Sequence, residues 1–596
     1  MRQADHDTAE PARPSAAQDW ARALTATASI ARDPGRTLPD LVDALALNHG
    51  ARPALIGEST GLSYDELASR SRRYARWALA QGLGRGDRIA LLMGNDPDYL
   101  AIWLGLGRIG VVTALINTSL VGGSLAHALR VSEARHVIVQ AALRERLGAP
   151  DGVAVWTHGS ADGEACIEAD MSRRSDAPLR PDEGVRPTIA DTALLVFTSG
   201  TTGFPKAALV SHRRILEWSL WFAGLADVTS DDRMYLCLPM SHSVGGIVAP
   251  GALLVRGGSV VIRSRFSLSR FWPDVTASGA TLFQYIGELC RLLAEAPPHP
   301  DEARHRLRLC VGNGLAPAPW RAFAARFTGL RILEFYASTE GNLSLYNCEG
   351  EVGAIGRVPP LLAGRFPFAI VRCDPETGTL LRGTDGFCIP CAWDEPGEAL
   401  GLIGSGEGDA GRPFEGYTDP AATSAKVAHD VRTPGDRWFR TGDLMRRDRR
   451  GFVRFVERIG DTFRWKGENV SCAEVTETLL AIPGVRAAAV FGVDVPGHEG
   501  RAGMAALAVD PDFDAAGFNR SLRVSLPSYA CPVFLRLADS LPLTSTFKPA
   551  VGDLRAVGFA PARCPDPILA WDRQRGAYMR LDPAGYARIA AGDWPF

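Results

Sequence analysis

No uninterrupted apolar run in this 596-residue chain is long enough to cross a bilayer as a helix, which takes about 20 residues. The nearest candidate, Tyr99 to Leu120, is broken by Arg108 and three glycines, and reads better as a buried helix followed by a strand. The N-terminus, MRQADHDTAEPARPSAAQDW, is polar and lacks the apolar stretch of a secretory leader, so residues 1–25 are expected to be a disordered tail. Long blocks of lysine or arginine are missing, which removes the usual polybasic membrane patch. The formal net charge of -2 gives no electrostatic reason to expect nucleic acid as a partner. The resulting expectation is a cytoplasmic protein whose membrane contact, where there is any, is peripheral. Of eleven cysteines only Cys388 and Cys391 form a C-x-x-C pair, and no second pair or His cluster stands nearby to complete a zinc site. They read as reduced thiols of a reducing compartment, with a redox or metal role as the alternative. Internal repeats and long low-complexity segments are also missing.

What is present is an ordinary globular composition, 46% hydrophobic, in a chain long enough for at least two domains. Leu62–Leu67 reads as a strand leading into a helix capped by Ser63. Asp87–Met93, Ala134–Val139, Asp191–Phe197, Leu307–Val311 and Arg331–Tyr336 are short apolar runs between turn signals, hence buried strands. A helix starts at Arg213. Strands alternating with helices imply an α/β domain. The polar stretches 160–188 and 394–411 read as surface connections. Beyond about residue 458 the texture changes. Ser471 and Glu474 have the spacing of a capping box, and strand-like runs follow at Val485–Val493 and Met504–Val509. This predicts a separate, small α+β domain.

The strongest local signal is Thr198-Ser199-Gly200-Thr201-Thr202-Gly203-Phe204-Pro205-Lys206. Glycines allow close backbone approach to an anion, hydroxyls and exposed N–H groups donate to phosphate oxygens, and Lys206 adds charge. The strand before it delivers the loop to a sheet edge, where ligands of open α/β sheets bind. The G-K-[ST] ending of a Walker A loop is not there. A polar turn is the plainer alternative. T-S-G-T-T-G-x-P-K resembles the phosphate-binding signature of adenylate-forming enzymes, the group of acyl-CoA synthetases, luciferases and nonribosomal adenylation domains. The resemblance implies a large N-terminal domain of stacked α/β sheets, residues 26–459, and a small mobile α+β lid, residues 460–596.

Further segments then take on expected roles, each with a bland competitor. Glu334-Phe335-Tyr336-Ala337-Ser338-Thr339-Glu340 offers a ring at Tyr336 for a base, a hydroxyl at Thr339 for a phosphate, and a hard oxygen ligand at Glu340 for Mg²⁺. It resembles the family motif in which the aromatic residue meets adenine and the glutamate helps hold magnesium; a solvated glutamate at a strand end is the competitor. Gly312-Asn313-Gly314 would line the adenine pocket, or be a plain turn. Asp443 and Arg458 match the family's ribose contacts, unless Asp443 only caps a turn and Arg458 only pairs with Glu457. Gly460 stands at the family's hinge, and Trp465-Lys466-Gly467 at the loop beside the route of coenzyme A; Gly460 as an ordinary turn residue is the alternative. Lys548 ends L-P-L-T-S-T-F-K, resembling the motif whose lysine enters the site during adenylation, where a point charge would stabilise the first transition state. As a lone residue it reads as a surface lysine. His242, in Leu238-Pro239-Met240-Ser241-His242-Ser243, would sit beside the carboxylate pocket, or be a core histidine.

Arg464-Trp465-Lys466-Gly467-Glu468-Asn469-Val470-Ser471 and Pro496-Gly497-His498-Glu499-Gly500-Arg501 narrow the resemblance to the fatty acid transport protein and very-long-chain acyl-CoA synthetase branch. It implies a ligase that turns a long or very long fatty carboxylate, with ATP and Mg²⁺, into acyl-AMP and then acyl-CoA. Departures are Ala316 where arginine is common, Ser545 where glycine is common, and no apolar N-terminal membrane segment. The rivals are an acyl-AMP ligase serving a carrier protein, and a non-enzymatic fatty acid transport or binding protein.

Overall fold

The computed structural model describes residues 15–148, 150, 152–159, 165–198, 205–374, 377–404, 411–459, 461, 463–465, 468–496, 498, 500–544 and 548–596. By its internal contacts the chain divides into two compact units, Met1–Arg357 with Phe414–Ala425, and Val358–Pro413 with Lys426–Phe596. The boundary expected at 459/460 thus falls within the second unit. Gly460 itself is outside the described residues.

Among the described residues the first unit holds two large sheets with helices between their strands. One has eight strands, in the order Ser344–Asn347, Arg331–Ala337, Leu309–Asn313, Leu282–Ile286, Arg233–Leu236, Ser259–Ile262, Pro53–Ile56 and Gly61–Ser63. Its interior neighbours pair in parallel and its two edge strands antiparallel. The other has six, in the order Ala154–His158, His136–Gln140, Arg88–Leu92, Val112–Leu115, Thr192–Thr198 and Lys206–Ser211, parallel except for the last pair. Parallel strands buried on both faces read as continuous apolar runs, and that is why these segments stood out in the sequence. Ser63 caps the helix Tyr64–Ala80 reciprocally with Glu66. Tyr99–Leu120 does become a buried helix, Pro97–Gly107, and a strand, Val112–Leu115. Among the described residues no helix is long and apolar enough to cross a membrane.

Residues 16–25, expected to belong to a disordered tail, are helical instead, and residues 1–14 lie outside the described residues. Ala16–Thr27 is a helix with a capping box between Ser15 and Gln18. Trp20 is buried edge-on against Trp221 and Tyr346, and the fully buried Asp19 pairs with Arg331 and Arg22. The low apolar content that suggested disorder hid a helix needing only one narrow buried stripe.

The second unit holds a sheet ordered Phe368–Val371, Gly397–Leu402, Arg437–Arg447 and Val427–His429, with Val453–Arg458 also paired to Arg437–Arg447. The stretch 394–411, expected as a surface connection, therefore contains an interior strand. Its Glu398 is tolerated with no exposed surface because Arg440 binds it at 2.5 Å and the Gly442 N–H donates to it. Cys388 and Cys391 lie beside this sheet as free thiols, and burial pushes Cys391 up to about 12, which makes it a poor nucleophile.

The small α+β assembly expected near the C-terminus is present within this unit. Val485–Asp494, Arg501–Val509, Phe534–Ala538, Ile568–Asp572 and Ala577–Arg580 form one sheet. Helix Cys472–Leu480 starts at Ser471, whose hydroxyl accepts the Glu474 N–H. Leu479, Phe491, Met504 and Phe534 are in its core.

Candidate active site

The phosphate-loop motif joins two antiparallel strands, and the register sets Thr198 directly opposite Lys206. Ser199, Gly200, Thr201, Thr202 and Gly203 lie outside the described residues. The loop's two ends are therefore fixed side by side at the rim of the six-stranded sheet.

The strand Arg331–Ala337 carries the second motif to the rim of the eight-stranded sheet, with Tyr336 half-buried near its end. Just beyond, the Thr339 hydroxyl meets that of Ser243 at 2.8 Å. That contact joins the motif to the segment that carries His242. Asn95, which the sequence gave no reason to select, clamps this segment. Its amide donates to the carbonyls of Leu238 and Arg263 at 2.9 Å each, and its oxygen accepts the Met240 N–H. After His242 comes a π-helical turn, Val244–Val248, a distortion frequent at functional sites. Only glycine fits at Gly246, where a Cβ would lie 1.9 Å from the Met240 carbonyl oxygen. Burial holds the His242 imidazole below its ordinary pKa, so the neutral ring is favoured.

Gly312 and Asn313 end the neighbouring parallel strand and Gly314 follows it, with Gly312 in register with both Tyr285 and Glu334. A Cβ on Gly312 would come within 2.3 Å of the Tyr285 carbonyl oxygen, so the turn depends on glycine there. Beneath it Glu334, 2% exposed, accepts the Tyr285 hydroxyl at 2.5 Å and the Leu315 N–H at 3.1 Å. Burial drives its carboxyl up to about 8 in spite of these donors.

The sequence reading missed the element that ties the two rims together. Residues 414–418 return to the first unit and run beside Lys206–Ser211. The Leu209 N–H donates to Gly416, the Thr418 N–H donates to Ala207, and Ala208 bridges Tyr417. Glu415 accepts from Ser211 through both its backbone N–H and its hydroxyl. Tyr417, 6% exposed, donates its hydroxyl to Glu340 Oε1 at 3.0 Å, and Lys206 Nζ lies 5.8 Å from the centre of its ring. Arg214 holds the carbonyl of Gly341. A tyrosine in a Gly-Tyr-Thr-Asp-Pro turn some 200 residues from the loop carries no local signal of this role.

The remaining expected residues belong to the second unit. Asp443 and Arg458 are cross-strand partners, 3.3 Å apart at Oδ1 and Nε. The Lys548 carbonyl accepts the Thr544 N–H at 2.7 Å. Its residue surface is exposed, yet its ammonium is held below the ordinary lysine pKa, chiefly by desolvation and then by the charge of Arg458, with Asp443 opposing. The three residues thus share one electrostatic neighbourhood. Trp465, expected beside the route of coenzyme A, lies in the core of the C-terminal sheet. It is 2% exposed and packs against His498 and Phe596. Lys466 and Gly467 are outside the described residues.

Residues 42–382 match the family model described as AMP-binding enzyme, and residues 474–548 match that described as AMP-binding enzyme C-terminal domain. Long-chain fatty acid transport protein 3 of Homo sapiens is 40% identical over 524 residues, covering 86% of this chain and 76% of its own. Long-chain fatty acid transport protein 1 of Rattus norvegicus is 38% identical over 578 residues, covering 94% and 89%. Among solved structures, ATP-bound MatB from Rhodopseudomonas palustris superposes with a TM-score of 0.73 at 26% identity, covering 87% of this chain and 99% of its own.

Proposed function

The chain belongs to the AMP-binding enzyme family and is an ATP-dependent adenylate-forming ligase, and from that premise we propose that it joins long-chain or very-long-chain fatty carboxylates to coenzyme A. The observation that carries the nucleotide chemistry is the convergence of Lys206 and Glu340 on Tyr417 in one unit. The acyl class is supported by the names of the long-chain fatty acid transport proteins, which match nearly the whole chain at 38–40% identity.

In the first half-reaction the carboxylate attacks the α-phosphorus of ATP, and pyrophosphate leaves. Such chemistry needs positioning and charge neutralisation more than covalent help. Thr198 and Lys206, with the loop between them, hold the phosphates. Tyr336 and the Gly312–Gly314 turn receive adenine, and Thr339 donates to phosphate. Asp443 accepts the ribose hydroxyls, and Arg458 orients Asp443. His242 stands by the carboxylate, and Lys548 stabilises the charge that develops around the α-phosphate. The donor set at Glu340, a half-buried carboxylate steadied by one hydroxyl, fits a hard divalent ion, and Mg²⁺ there would neutralise phosphate charge. In the second half-reaction the thiolate of coenzyme A attacks the acyl carbon and AMP leaves, with Lys466 and Gly467 beside the thiol's path.

The deciding experiment supplies purified protein with ATP, Mg²⁺, and medium-chain, long-chain, very-long-chain and steroidal acids, with either coenzyme A or a holo carrier protein as acceptor. Thioester on coenzyme A, greatest with the long or very long acids, is expected. Transfer only to the carrier protein, or no ATP-dependent product from any acid, would overturn the reading.

A further inference from the structure

Tyr417 reaches both Lys206 and Glu340 without being part of either motif. It lies on a strap, residues 414–418, whose backbone is bonded to the strand that begins at Lys206, and it packs with Ala208 and Ala422. The Thr423 hydroxyl accepts the Tyr417 N–H at 2.9 Å, which fixes the residue from the other side. A phenol so placed has little rotational freedom, and its hydroxyl already points at Glu340 Oε1. A carboxylate on a loop after a strand end otherwise has several rotamers, and ordering it would oppose cation binding. We infer that Tyr417 is a positioning residue for magnesium. Its hydroxyl fixes the Glu340 carboxylate before Mg²⁺·ATP arrives, and its ring bounds the space in which Lys206 meets the phosphates. The inference rests on the adenylating reading of the site, though not on the identity of the acid.

The mechanism is specific about which property should change. Hydrogen bonding by Tyr417 acts on Glu340, so it should matter to the metal-dependent part of ATP binding and not to ATP binding as such. The test is calorimetric titration of the full chain with ATP, without acid, over a range of Mg²⁺ concentrations. Wild type is compared with Tyr417→Phe, Glu340→Gln and the double variant. The phenylalanine keeps the ring and the strap, and melting temperatures check the fold. In wild type, Mg²⁺ should tighten ATP binding. In Tyr417→Phe that gain should shrink by about tenfold, the scale of one hydrogen bond to a charged group. Affinity for ATP without Mg²⁺ should be unchanged. Glu340→Gln should remove the gain, and adding Tyr417→Phe to it should change nothing further, because both act through one contact. In ATP–pyrophosphate exchange with a fatty acid, Tyr417→Phe should raise the Mg²⁺ requirement and leave the KM for the acid unaltered. An equal loss at every Mg²⁺ concentration would mean a merely structural role and overturn the inference, as would additive effects in the double variant. Wild type that binds Mg²⁺·ATP yet activates no fatty acid would defeat the proposed substrate only. Wild type that binds no ATP would defeat both.

Discussion

A carboxyl group held almost out of water at Glu334 makes the floor of the Gly312–Gly314 turn sensitive to pH. Its pKa is about 8 in the folded chain, against an ordinary value of 4.5, and desolvation is the main cause. The folded state therefore binds this proton more tightly than the unfolded state. The associated stability is complete below pH 4.5, declines as pH rises, and is gone above about pH 8. Glutamine at this position mimics the protonated acid and has no proton to lose. Melting temperatures of wild type and Glu334→Gln, followed across that range, should diverge progressively as pH rises, with wild type falling relative to the variant. A constant offset would count against a buried, protonated acid. Glu334 opens a motif that was legible in the sequence, but its burial was not. Glutamates are mostly solvated, and only the strands on either side remove it from water.

The helix Ala16–Thr27 and the strand Gly397–Leu402 were both hidden by polar composition. In each, a distant arginine pairs with the acid that made burial improbable, Arg331 with Asp19 of the helix, which also meets Arg22, and Arg440 with Glu398 of the strand. Arg331 and Arg440, each more than 40 residues from its acid, leave no local pattern. The helix lies on His212–Leu225 through Trp20, whose neighbours Trp221 and Tyr346 leave it 3% exposed. Trp20→Ala should cost about 3–5 kcal/mol in urea denaturation, the range for deleting a large buried aromatic side chain. A loss below about 1 kcal/mol would show that the helix is an ornament of the fold rather than part of its core.

Across the whole molecule the residues assigned to one reaction are divided between two units, Lys206 and Glu340 in the first, Asp443, Arg458 and Lys548 in the second. We expect the two half-reactions to need different residues of the second unit, with Gly460 as the hinge. Proline there fixes φ near about −65° and restricts the residue before it. Gly460→Pro should still make acyl-AMP from ATP and acid but fail to pass it to coenzyme A. Lys548→Ala should do the reverse, failing with ATP yet turning over pre-formed acyl-AMP. Equal loss of both half-reactions in both folded variants would remove the basis for alternation. The sequence by itself determined the α/β class, the apolar strands of the first unit that stood out as runs, the family, and the order of the motifs. Those depend on apolar periodicity and on short runs of residues whose chemistry is local. Only the tertiary structure decided that Tyr417 meets Glu340, that Asn95 clamps the His242 segment, that Asp443 pairs with Arg458, and that Trp465 is core. Each of these is a contact between segments distant in the chain, or a burial that such contacts create. The physical reason is that a side chain's partners and its exposure to water are fixed by packing, which sequence spacing does not encode.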